Sequence, residues 1–366
     1  MNYKNLVSLG ALAVMGVTSL SLTAGLAQAD DDSPQILPNP VTTVSTIPAN
    51  KDVNPYGVAF VPNGYPQGTL QPDDILVSNF NNLNNLQGTG TTIVRITPKG
   101  AQTLFFQAAA NSGLTTALNI SKEGPIFVGD FPSTDGTCER STAGEILVVN
   151  SQGKQIASFA NSQLINGPWD SALFESGDRS KLFLSNALTG TVSRLDFEID
   201  NGQPRLVDAV QIASGYVHRC DPVTFVVGPT GLVYDATTDT LFVASTGDNV
   251  VFAVHYAGTT SQDQGKGQII YEDNVHLHGA LAMEEAPNGH LLVTNSDAIN
   301  PDPNQPSEIV EFTKDGKFVA QLSVDPAQGG AFGLGFGNPN DGTVRFAAVD
   351  DNTNTLTIWK LFVRRR

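Results

Sequence analysis

Beyond its first thirty residues the chain alternates short apolar runs with turn-forming clusters, and one five-residue phrase recurs. The phrase runs apolar, apolar, Val or Ala, small, then Asn or Asp. Its copies are Ile75 to Asn79, Ile126 to Asp130, Leu182 to Asn186, Leu241 to Ser245, Leu291 to Asn295 and Phe346 to Asp350. They recur at roughly 50 to 60 residues, the period of an array of similar sheets. Before each copy lies a strand of small residues, beginning at Gly57, Thr116, Ser171, Gly231, Ala280 and Gly333. After each lies a strand of alternating character, usually closed by a turn such as Pro98-Lys99-Gly100, Ser151-Gln152-Gly153 or Lys314-Asp315-Gly316. Alternation bounded by such turns predicts antiparallel hairpins. A fourth strand completes the unit, as in the segments following Gln102, Lys154 and Lys317.

Five units carry their own fourth strand, whereas the sixth ends at Leu361 after its third. A suitable strand stands at the other end, in Val41 to Pro48. Pairing it with the last unit closes a ring and removes the open sheet edges that invite aggregation. The pattern therefore predicts an all-β protein. It is a six-bladed β-propeller of four-stranded blades over residues 41–363, its last blade closed by the N-terminal strand. Small residues suit the innermost strands, which crowd around the axis.

Composition agrees: 35 Gly and 21 Pro with only 15% charged residues favour many short strands over helices. The N-terminus reads differently. Lys4 is the only charge before Asp30, Leu6 to Leu26 is apolar or small, and Ala27-Gln28-Ala29 precedes three aspartates. This is the layout of a cleavable signal peptide over 1–29, with 30–40 as a linker and 364–366 as a short basic tail. The expected location is periplasmic or secreted. No later segment is long and apolar enough to span a bilayer. A net charge of −16 disfavours nucleic acid and anionic membrane surfaces. The expected partner is a small molecule or an envelope or extracellular protein, met by a monomer. The two cysteines, Cys138 and Cys220, lie in loops of neighbouring units, and in an exported chain such a pair points to one disulfide.

The repeat resembles the NHL and YVTN families of β-propeller repeats, in a form typical of exported bacterial proteins. Leu291 to Asn295 and Ile75 to Asn79 look like the phrase that names the YVTN group. Asn54 to Ala59 and Gly228 to Leu232 look like the Pro-x-Gly start of NHL blades. The resemblance spans nearly all of the chain after the leader and implies architecture rather than activity.

Candidate chemistry follows from the repeat. Asn79, Asp130, Asn186, Asn295 and Asp350 end their second strands on the face that also carries the long loops. Their oxygens suit a hard cation such as Ca²⁺. The same residue types also bond local backbone and start turns. Tyr56, Trp169, Thr230, His278 and Phe332 start the innermost strands at the channel mouth, as ligand-binding candidates or as a plug. His276-Leu277-His278 is an H-x-H, and His278 or Asp170 is the candidate catalytic base.

Two function classes stand. One is a binding or scaffold module of the cell envelope acting through the loop-rich face. The other is a metal-dependent hydrolase or lactonase, similar in general design to the SMP-30/gluconolactonase propellers. That resemblance implies a metal held by one Glu and several Asn or Asp. Here the first blade starts Asn54-Pro55-Tyr56-Gly57, without the Glu. The peptide-amidating lyase resembles this design too, but of its several histidines at blade starts only His278 has a counterpart. No G-x-S-x-G, H-E-x-x-H or phosphate loop occurs.

Overall fold

A computed structural model describes residues 35–37, 40–296, 299, 308–326, 330–337 and 343–362. The leader expected over 1–29, the basic tail 364–366 and most of the loop after Ser296 lie outside the described residues. The described chain is a six-bladed propeller of four-stranded antiparallel sheets. The innermost strands are Val53–Phe60, Leu114–Ile120, Pro168–Ser176, Pro229–Asp235, Ala280–Glu285 and Ala331–Gly337. Each is followed outward by the strand bearing the recurring phrase. The only helical segment among the described residues is a 3-10 turn, Cys138–Arg140.

The ring closes as the sequence predicts. Thr42–Ser45 pairs antiparallel with Thr355–Phe362, with Thr42 opposite Ile358 and Ser45 opposite Thr355. A second clasp lies within the segment read as linker. Gln35–Ile36 adds a short parallel strand to the outer edge of blade five. The N-terminal segment thus covers the outermost edges of two adjacent blades.

The core is a set of layers between neighbouring blades rather than one central mass. Leu76, Phe106, Leu118 and Val128 fill the layer between blades one and two. Phe127, Leu182 and Phe197 fill the next. Phe183, Leu241 and Phe252 continue the series, then Tyr271, Met283 and Phe312. Burying each such side chain stabilises by about 1.5–3 kcal/mol, which drives blade stacking.

Every innermost strand shifts register beside the recurring phrase. The third residue of the phrase pairs with Val58, Leu118, Ser171, Leu232, Met283 and Leu334 in blades one to six. The residue just before this pair bulges toward the axis. In five blades it is Gly57, Ala117, Gly231, Ala282 or Gly333. Space explains the choice: a Cβ on Gly333 would lie 1.7 Å from the Tyr56 carbonyl oxygen. The phrase's hydroxyl satisfies the bulge. Ser78 Oγ accepts from the Gly57 N–H at 2.9 Å, and Thr294 Oγ1 from the Ala282 N–H at 3.0 Å.

Candidate functional site: the two ends of the channel

At the loop-rich end the channel is filled. Tyr56 stacks on Phe332 at 4.8 Å between centroids and meets Trp169 edge-on at 5.6 Å. Phe80 packs on Tyr56, Trp169 and Phe225. Phe131 packs on Phe225 at 5.3 Å. Edge-to-face contacts of this kind contribute about 0.5–1.5 kcal/mol each beyond burial. Phe225 comes from a small hairpin, Arg219–Asp221 with Phe225–Val227, inserted between blades three and four. Its backbone sits in the left-handed region, at φ +68°, a strained conformation for an aromatic residue. The Cys138–Cys220 disulfide ties this hairpin to the blade-two loop across a sequence separation of 82.

The structure thus brings three of the expected mouth residues, Tyr56, Trp169 and Phe332, into one aromatic plug. Thr230 is separate: its hydroxyl donates to the Ala280 carbonyl at 3.1 Å. His278 is buried in blade five, with Nε2 3.4 Å from Glu308. His276 turns to Asp273 and stacks on Phe318. The two imidazoles of the H-x-H therefore serve different carboxylates.

The Asn and Asp that end the phrase staple chain segments. The side-chain amides of Asn79, Asn186 and Asn295 donate to the carbonyls of Thr46, Leu164 and His276. Asn186 and Asn295 also accept from the Asn166 and His278 N–H groups, and Asp130 accepts from the Gly113 N–H. Asp350 accepts from the Asn352 N–H and the Thr353 hydroxyl. Each of the five bonds to its own blade, the segment leading into it or the adjoining closing segment. No group of three His, Cys, Asp or Glu converges on one point among the described residues. Tyr56 fills the place where the lactonase resemblance implies a Glu ligand. This arrangement does not fit a shared cation at the mouth.

The opposite end of the channel is open. A cavity of about 370 Å³ is lined by the later halves of all six innermost strands. Apolar side chains such as Val58, Leu118, Leu232 and Leu334 contribute to its walls, but the surface exposed to the cavity is mostly polar. Three of its polar side chains stand where the repeat has small or apolar residues. Asp170 occupies the bulge of blade three, where every other blade has Gly or Ala. Ser185 Oγ bonds the Asp170 N–H and carbonyl, as Ser78 bonds its own bulge. Glu284 and Asn119 stand one residue after the phrase-paired residue in blades five and two, where the other blades have Ala, Val or Gly.

Both carboxyls are perturbed. Burial pushes Asp170 up to about 8, against the Ser171 N–H that stabilises its charge, with Glu284 adding repulsion. Burial pushes Glu284 up to about 7, with Glu285 adding to the rise. Asp170 Oδ1 accepts from the Ser171 N–H at 2.7 Å. Glu284 Oε2 accepts from the Glu285 N–H at 3.2 Å. Both residues line the cavity. Asp170 was legible as a candidate base. Glu284 and Asn119 were not singled out, although each interrupts a small or apolar position that the repeat defines.

No family model matches this chain, and no curated protein sequence matches it. Solved structures do. A protein assigned as a gluconolactonase superposes with a TM-score of 0.50 at 13% identity, over 89% of this chain and 96% of that one. The luciferin-regenerating enzyme gives 0.52 at 10% identity, over 89% and 96%. A Thermus thermophilus protein described as an oxidoreductase (glucose dehydrogenase) gives 0.52 at 12%, over 87% and 99%. At such identities the likeness shows the fold: this chain is a β-propeller of the architecture those proteins share.

Proposed function

We propose that the protein is an exported hydrolase of small esters or lactones that works at the open end of its channel. The observation that carries this is the placement of Asp170 and Glu284 on one cavity, with pKa values pushed to different levels near neutrality. Carboxyl pairs whose environments separate their pKa values divide into an acid and a base. Between about 7 and about 8, Glu284 is largely ionised and Asp170 largely protonated. Glu284 takes a proton from water as the water oxygen bonds the ester carbonyl carbon. Asp170 gives its proton to the alkoxide oxygen as the C–O bond breaks. The products are a carboxylic acid and an alcohol; the proton now on Glu284 passes to Asp170, directly or through water, which restores the pair, and the product acid ionises to solvent. Apolar side chains such as Leu118, Leu232 and Leu334 on the wall contact the substrate's carbon skeleton. The gluconolactonase and luciferin-regenerating structures support this class, as enzymes built on the same fold. The disulfide supports an oxidising compartment, periplasmic or extracellular.

The test is hydrolysis of p-nitrophenyl acetate and a panel of neutral lactones by the purified protein. Asp170→Asn and Glu284→Gln should each lower kcat about 10²–10⁴-fold, the usual span of general acid–base catalysis. Absence of turnover, or full turnover in both variants, overturns the reading. A second reading, a binding module, draws on a groove of about 990 Å³ between the loops of blades one and two. The half-exposed Leu83 and Leu86 lie there beside Asp130 and Glu145. Capture of a partner that Leu83→Asp abolishes, without hydrolysis, supports that reading instead.

A further inference from the structure

The charges around the cavity are one-sided. Four carboxyls line it, from Asp170, Glu175, Glu284 and Glu285, and no Lys, Arg or His does among the described residues. Glu175 is engaged by the Ser121 hydroxyl at 2.6 Å and the Lys122 N–H at 3.1 Å. Glu285 is paired with Lys314 at 2.8 Å, and Lys314 is shared with Asp235 at 2.9 Å. Tyr234, the remaining ionisable group on the lining, donates its hydroxyl to Asp239. The innermost strands of blades one, two and six add no charged side chain to the wall. The two inner carboxyls, Asp170 and Glu284, therefore have no counter-ion on the wall. Among the described residues, Asp170 accepts from the Ser171 N–H and Glu284 from the Glu285 N–H, and both line the cavity.

We propose that this cavity recognises small molecules bearing a positively charged amine or quaternary ammonium head, seated between Asp170 and Glu284, and rejects those bearing a carboxylate or phosphate. The inference rests on the channel site proposed above and names the charge class of its ligands. An ammonium group supplies hydrogen-bond donors and the positive charge that the described lining lacks. An anion would meet four carboxyls with little water to screen them. At about 370 Å³ the cavity falls within the roughly 300–1,000 Å³ range of small-molecule sites, enough for an amine on a short body. Val58, Leu118, Leu232, Met283 and Leu334 add apolar patches to the mostly polar surface for the ligand's carbon body. A further consequence concerns hydrolysis: the product carboxylate is repelled from the site where it forms, which speeds its release.

Raised carboxyl pKa values couple this recognition to protons. A bound cation favours the ionised form of both carboxyls and so competes with their protons, and affinity rises with pH through about 7 to 8.

Calorimetry on the purified protein tests the idea with benzylamine, benzyltrimethylammonium, benzyl alcohol and benzoate, which share one apolar body. Both cations should bind at least tenfold more tightly than benzyl alcohol, and benzoate should not bind measurably. Binding enthalpies should depend on the buffer, reporting proton release. Asp170→Asn and Glu284→Gln should each weaken the cations about tenfold or more while leaving benzyl alcohol unchanged. Equal affinity for the alcohol and the cations overturns the proposal, as does cation affinity unchanged in both variants. Thermal unfolding of each variant confirms that it is folded. Cation binding without ester turnover upholds this inference and defeats the hydrolase reading. Asp170-dependent turnover of neutral esters that neither cation inhibits or binds does the reverse.

Discussion

The Thr43 hydroxyl lies 3.1 Å from the Thr357 hydroxyl, joining residues 314 positions apart across the seam that closes the ring. Around it, Thr42 to Ser45 pair with Thr355 to Ile358, and the Val41 N–H donates to the Ile358 carbonyl. Deleting residues 41–48 exposes the edge of Thr355–Phe362 and unlocks every blade at once. The expected outcome is loss of a single cooperative unfolding transition, with aggregation on purification. Deleting only 35–37, the clasp on blade five, should lower Tm but keep one transition. Differential scanning calorimetry of both truncations checks this.

The disulfide should matter to stability as well as to the channel plug. Closing a loop of 82 residues stabilises by about 4 kcal/mol on the chain-entropy model. Replacing both Cys138 and Cys220 by Ser should lower stability by about that amount. Phe225→Ala should cost about 3–5 kcal/mol, because it empties the centre of the plug between Phe80 and Phe131. Denaturant titrations with and without reductant measure both.

Asp170 should make the fold weaker as pH rises. In the folded chain its carboxyl holds a proton up to about 8, whereas the unfolded chain loses that proton near ~3.9. The folded state thus binds more protons between those values, and stability falls from about pH 4 to about pH 8. Asp170→Asn removes this dependence. At pH 8 the variant should be more stable than the parent by about 5 kcal/mol, and little different at pH 4. Melting curves across that range decide it.

Catalysis should show a narrow bell. Activity rises as Glu284 ionises through about 7 and falls as Asp170 loses its proton through about 8. Glu284→Gln should abolish the acidic limb in whatever activity remains. The pH dependence of kcat/KM for p-nitrophenyl acetate is the measurement.

The Asn side chains at the loop-rich mouth should act as staples. Asn186→Ala removes an acceptor for the Asn166 N–H and donors to Leu164 and Ser193, all inside blade three and its connection. A loss of about 1–3 kcal/mol follows from leaving such buried groups unpaired. Added Ca²⁺ should not restore the lost Tm. A Ca²⁺-dependent rise in the parent that Asn186→Ala removes would assign the residue to a metal instead.

Sequence alone determined the architecture, because a repeat reports local chemistry six times. Alternation set the strands, turn residues set the hairpins, and the missing fourth strand of the last unit demanded Val41 to Pro48. The cysteine pair was legible for the same reason: both fall in loops on one face. Tertiary structure decided which end of the channel is open. Whether Tyr56, Trp169 and Phe332 frame a pocket or fill one depends on Phe225, which arrives from a hairpin more than fifty residues beyond Trp169. The Asn and Asp positions looked alike as ligands or as turn formers until their hydrogen-bond partners were fixed. Glu284 faces the same cavity as Asp170 from another blade, and no local pattern could announce that. Strand periodicity tells which side a residue faces; only packing around the axis tells what stands across from it. The open carboxyl pair, on which the proposed chemistry rests, is therefore a property of the closed ring.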